Sequence, residues 1–112
     1  MIDAAAFREI IALYDKHGWK LRRVLLSAPL ENGLAAEIPP GVEVKDSELD
    51  AAWFSRSSRP ESMAWEVRHL SKTPFALVEV IENDANEEEA EAVLKAAEAK
   101  MLDITAKRPR AN

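Results

Sequence analysis

The chain contains no cysteine, which excludes disulfides, thiolate nucleophiles and cysteine-ligated zinc. Glycine is nearly as scarce. Its three glycines in 112 residues are isolated from one another, so no Gly-rich phosphate loop can form. No G-x-S-x-G elbow surrounds Ser55, Ser57 or Ser58, and serine-hydrolase chemistry is rejected. Their spacing suits an edge strand or a strand end. His17 and His69 have no spacing that resembles a metal motif. No apolar run approaches membrane-spanning length, and Met1 to Glu9 lack the basic start and apolar run of a secretory signal. The net charge of −5 weighs against broad nucleic-acid binding, which uses cationic surfaces to displace counterions from phosphates. These absences together predict a cytoplasmic protein with no cofactor, no metal, no nucleic-acid partner and no membrane partner.

The composition is 47% hydrophobic and 31% charged, enough for one ordered core. A single domain is predicted over 1–106, followed by a flexible basic tail over 107–112. The charge is unevenly spread. Glu82 to Asp103 carries a net −6, whereas Lys107, Arg108 and Arg110 contribute +3.

The first segment is helical, because Phe7, Ile10, Ile11 and Tyr14 follow the i, i+3, i+4, i+7 pattern. Asp3 is its N-cap, Lys16 and His17 suit the negative end of the dipole, and Gly18 is the residue that stops it. Trp19 to Ser27 reads as a strand ended by Ala28-Pro29, in which the adjacent Arg22 and Arg23 point to opposite faces. Pro29 to Asp50 reads as a long loop, with Asn32-Gly33 and Pro39-Pro40-Gly41 as turns. Leu34 to Ile38 and Val42 to Val44 could pair there as an irregular hairpin. Trp53 to Ser57, Met63 to Leu70 and Phe75 to Ile81 then form an antiparallel meander. A last helix opens on Asn86 and Glu89, which resemble a capping box. Its apolar stripe is Ala90, Val93, Leu94, Ala97, Met101 and Ile104. The predicted fold is α+β: a four-stranded, mainly antiparallel sheet flanked by N-terminal and C-terminal helices.

Register decides which residues share a face. Even-length loops at Arg59–Ser62 and at 71–74 would pair Phe54 with Val67 and Val67 with Val78. One face then carries Phe54, Met63, Trp65, Val67, Ala76, Val78 and Val80 as core. The other gathers Trp53, Ser55, Glu66, Arg68, Leu70, Phe75, Leu77, Glu79 and Ile81, with Glu66 directly opposite Glu79 and Arg68 placed to relieve the pair.

Three readings compete for that second face. A helix can cover it, giving a three-layer sandwich. It can be a homodimer or partner interface, in which Trp53, Arg68, Phe75 and Leu77 supply contact area and charge. It can also be a pocket for a small anionic ligand, with Glu66 and Glu79 as paired carboxylates, Arg68 as anchor and the 29–50 segment as roof. Arg22, Arg23, Arg56, Arg59 and Arg68 make the strand region locally arginine-rich, and charge balance against Glu61, Glu66 and Glu79 explains most of that. The leading expectation is a protein-binding or scaffolding module that self-associates through one sheet face. The binding residues expected are Trp53, Glu66, Arg68, Phe75, Leu77 and Glu79, and no catalytic residue is assigned.

Overall fold

The computed structural model describes residues 2–71 and 75–107. Along the chain these are helix α1 (Ala4–Lys16), strand β1 (Lys20–Leu26), helix α2 (Ala28–Leu34) and a 3-10 turn (Ala35–Glu37). Strands β2 (Glu43–Asp46), β3 (Ala51–Ser57), β4 (Ser62–His69) and β5 (Ala76–Glu82) follow, then helix α3 (Glu87–Lys107). The rest of the expected basic tail, 108–112, and the turn residues 72–74 lie outside the described residues.

Both ends of α1 form as its sequence demands. The Asp3 carboxylate accepts from the Ala6 amide at 2.8 Å, satisfying one of the free amides of the first turn. At the other end Gly18 adopts φ +83°, a conformation open mainly to glycine. The Gly18 amide donates to the Asp15 carbonyl and the Trp19 amide to that of Tyr14, both at 3.0 Å. This paired closure is a Schellman motif, and it turns the chain back so that Trp19 lies beside Tyr14.

The sheet has five strands in the order β2-β1-β3-β4-β5, one more than expected. The extra strand comes from the segment read as a loop. Pro29 does not stop the chain; it sits in the first turn of α2, where a missing N–H costs nothing. No hairpin forms over 34–44. Instead α2 and the 3-10 turn carry the chain across so that β2 lies parallel to β1, with Val24 beside Val44. The remaining pairs are antiparallel. Asp50 ties the ends of this excursion together: its carboxylate accepts from the Ser27 amide at 2.6 Å, and its carbonyl accepts from the Leu70 amide at 2.8 Å.

Helices cover both faces. On one, Phe7, Ile10 and Tyr14 of α1 and Leu30 and Leu34 of α2 pack against Val24, Leu26, Ala52 and Phe54. On the other, Leu94, Ala97 and Met101 of α3 pack against Leu25, Ala51, Trp53, Val67 and Ile81. Trp53 and Phe54, adjacent in sequence, are each buried in a different core. Truncating either to alanine should cost about 3–5 kcal/mol. The α3 cap forms as read, with the Glu89 amide donating to Asn86 Oδ1 at 2.7 Å.

Two departures from regular pairing set the site. The β1–β3 register slips between Leu21 and Arg23, so Arg22 is an extra residue, a β-bulge. Arg22 donates to Ser55 Oγ at 2.9 Å, while Arg23 reaches Glu91 and Glu98 of α3. The two arginines therefore serve the same face rather than opposite ones. The hairpin loops also have odd length. The Ser58 amide donates to the Ser62 carbonyl across Arg59-Pro60-Glu61, and the His69 amide to the Phe75 carbonyl. Each registers one residue away from the even-loop pairing: Phe54 faces Glu66, and Glu66 faces Val78. Two slips cancel for β5, so only β4 is inverted.

Candidate functional site

Inverting β4 separates the residues expected to share a face. Trp53, Phe75, Leu77 and Glu79 lie on the α3 side, and Glu66 and Arg68 lie on the α1 side. Glu79 faces Trp65 across β4–β5, not Glu66. The paired-carboxylate arrangement is therefore corrected: the two acids project from opposite surfaces of the sheet. Trp53 is completely buried; its indole N–H donates to Glu98 at 2.7 Å, and Trp65 packs edge-on at 6.2 Å. Phe75 and Leu77 are half-buried against the same α3 core. A helix covers this face, as in the three-layer reading.

Beside Trp53, Arg23 lies among Glu43 at 2.8 Å, Glu91 at 2.8 Å and Glu98 at 3.4 Å. The hydrogen bond to Glu91 is the largest cause raising the Arg23 pKa further. The reciprocal bond holds the Glu91 carboxyl below its usual range. This network fastens α3 to the sheet.

The α1 side is different. A five-stranded sheet is roughly 20 Å wide at a strand spacing of about 4.8 Å. α1 and α2 cover β1, β3 and the near side of β4, and β5 is left bare. Val78 and Val80 are 54% and 47% exposed on β5, Ala76 is exposed beside them, and Leu13 on the flank of α1 is 51% exposed. The result is an apolar strip bounded by a helix on one side and by the outer edge of β5 on the other.

Between α1 and β4 lie two clefts that share Leu13 and Arg68. One, of about 220 Å³, is lined by Leu13, Tyr14, His17, Trp19, Glu66 and Arg68. The other, of about 440 Å³, extends towards Ile2, Glu9 and Ser71. No residue of 29–50 lines either, so the expected roof stands elsewhere, against Trp19 and Leu21. The Tyr14 ring stacks on Phe54 at 3.9 Å and meets Trp19 edge-on at 6.2 Å. Arg56 lies over the Trp19 ring, 4.7 Å from its centre. The Tyr14 hydroxyl donates to Glu66. Burial and then that bond push the phenol up to about 12, so Tyr14 is a neutral donor at physiological pH and no nucleophile.

Of the six residues expected in a site, only Glu66 and Arg68 border this cleft. Tyr14, His17 and Trp19 carry the sequence signals of a helix stripe, a helix end and a strand start, and Leu13 lies off the stripe altogether. A tyrosine on a helix's apolar stripe does carry a signal, because its buried hydroxyl needs a partner across the core. Among the described residues no group of three or more acids or histidines is arranged to hold a metal ion, and no helix is long and apolar enough to cross a membrane.

No protein-family model, curated protein or solved structure matches this chain, so its function has to be inferred from its own geometry.

Proposed function

We propose that this chain is a protein-binding module that self-associates through the uncovered β4–β5 strip. The observation that carries the reading is the exposure of Val78 and Val80 on a seven-residue edge strand. Isolated exposed valines mean little, but here they stand in line with Ala76 on the face of β5 that lies on the α1 side of the sheet, so that α1 and the bare strand frame a recess. Contiguous apolar surface of that kind marks an interaction face. The opposite edge strand contrasts with it: β2 has four residues and carries Glu43, Lys45 and Asp46, the charge that blunts unwanted pairing.

The shape of the recess favours a second copy as occupant. Its floor is two strands wide, roughly 10 Å, and its wall is one helix high, again about 10 Å. Two sheets stack face to face at about 10 Å. Under a two-fold axis, the strip of one protomer therefore fits the recess of its partner, and each α1 flanks the other's β5. Such an interface is self-complementary, as closed dimers require.

The test is solution mass by light scattering across a dilution series, for the native chain and for Val78→Lys and Val80→Lys. Both valines are half-exposed, so neither change disturbs a core. The expected result is a native dimer and monomeric variants with unaltered thermal melts. A native chain that is monomeric at every concentration overturns the proposal.

A further inference from the structure

Arg68 is half-buried at the foot of α1. Among the described residues it forms no ion pair, and its Nε is buried without a hydrogen-bond partner. An arginine taken partly out of water without a counter-ion is costly. Glu66, two residues along on the same face of β4, is the obvious candidate. Its carboxylate is occupied instead by the Tyr14 hydroxyl, and the Arg68 guanidinium interacts with that same neutral hydroxyl, which supplies it no counter-charge. Tyr14 is in turn fixed by its stack on Phe54.

We infer that Tyr14 is a spacer holding Glu66 away from Arg68, which leaves the guanidinium open to bind a carboxylate whose apolar body rests against Leu13, Tyr14 and Trp19. The planar fork of arginine matches a carboxylate bidentately. The nearby Glu66 charge favours a monoanion over a phosphate dianion, since like charges repel across so short a span. The aromatic and aliphatic wall gives the body of the acid somewhere dry to lie. The carboxylate belongs to a free monocarboxylic acid or to the end of a peptide chain. The inference does not rest on self-association, because the cleft is complete within one protomer.

The experiment is an NMR titration of the ¹⁵N-labelled chain, reading the Arg68 Nε–H and the Trp19 indole N–H. The probes are sodium benzoate, neutral benzamide, inorganic phosphate, and a short peptide ending in phenylalanine as free acid or amide. Saturable shifts are expected with benzoate or the peptide acid and not with benzamide or the peptide amide. A peptide acid at least tenfold tighter than benzoate identifies a chain end as the source; comparable affinities identify a free acid. Arg68→Gln should abolish binding. Tyr14→Phe keeps the ring but frees Glu66 to pair with Arg68, and should weaken binding at least tenfold. Adding Glu66→Gln to Tyr14→Phe removes that competitor and should restore it, a recovery that mere structural damage would not give. The idea is overturned by equal shifts with benzamide, by phosphate binding more tightly than benzoate, by full affinity in Tyr14→Phe, or by no response to either acid. Repeating the titration in Val78→Lys separates this outcome from the fate of the dimer.

Discussion

Replacing Arg23 by methionine should destabilise the chain by about 2 kcal/mol at neutral pH. The partners decide that magnitude. Glu43 and Glu91 are 52% and 38% exposed, so water takes over much of what each loses, and each counts as a surface pair worth about 0.5 kcal/mol. Glu98 is only 17% exposed. It keeps the Trp53 indole donor at 2.7 Å, but losing a charged partner there should cost about 1 kcal/mol. Methionine preserves most of the arginine stem's packing. The melting temperature should fall by roughly 10 °C for a domain of this size. Urea unfolding followed by tryptophan fluorescence reads the change directly. Acid sharpens the test. The depressed Glu91 carboxyl contributes stability above its unfolded value, and that contribution is lost as pH falls through the folded value. The gap between native chain and variant should therefore narrow as pH falls below about 4.3, the ordinary value of a glutamate carboxyl. A gap below about 0.5 kcal/mol, or one constant through the acid range, would refute the view of Arg23 as the clamp on α3.

Gly18→Ala meets no atom within 4 Å, yet its φ of +83° should cost about 1–2 kcal/mol, read as a lower melting temperature without loss of helicity. Tyr14 is the chain's single tyrosine, so the phenolate absorbance reports it alone, with a midpoint near 12 expected. Its folded pKa lies above the unfolded value near 10. The associated stability is present below about pH 10 and lost towards pH 12, so alkaline unfolding should track that absorbance. A midpoint near 10 in the folded chain would remove the bond to Glu66.

The two long helices, α1 and α3, were legible because their signals are local. Asp3, Gly18, Asn86 and the apolar stripes act within a turn or two of themselves, and each does what its chemistry demands. The three strands of the meander were legible for the same reason. Which residue of β4 faced which side was not. Facing depends on loop parity, and Pro60 in the turn from Arg59 to Ser62 leaves a three-residue loop where four were assumed. One residue of slip moved Glu66 and Arg68 beneath α1 and Trp65 and Val67 beneath α3. Alternation cannot reveal the Arg22 bulge either, since an extra residue breaks the very period being sought. Ala28-Pro29 was ambiguous in itself: the same dipeptide ends a strand or opens a helix, and only the packing of Leu30 and Leu34 decides. The site residues were thus partly visible as residue types on the right strand. Their companions from α1 were hidden until the layers were assembled.

The carboxylate of Asp50 has a consequence for how this chain tolerates change. Leu25 pairs directly with Ala51, so β1, β3, β4 and β5 are a simple meander, and α2 with β2 is a detour let into its first hairpin. Asp50 closes the neck of that detour on Ser27. The entropy of closing a loop grows only slowly with its length, so the exposed turn at Pro39–Gly41, unlike α2 with its buried Leu30 and Leu34, is where the excursion can gain or lose residues with little effect on the rest. The meander, α2 and α3 form the chassis in mechanical terms, and the turn that leads into β2 is an attachment whose size is free to vary while its neck stays tied.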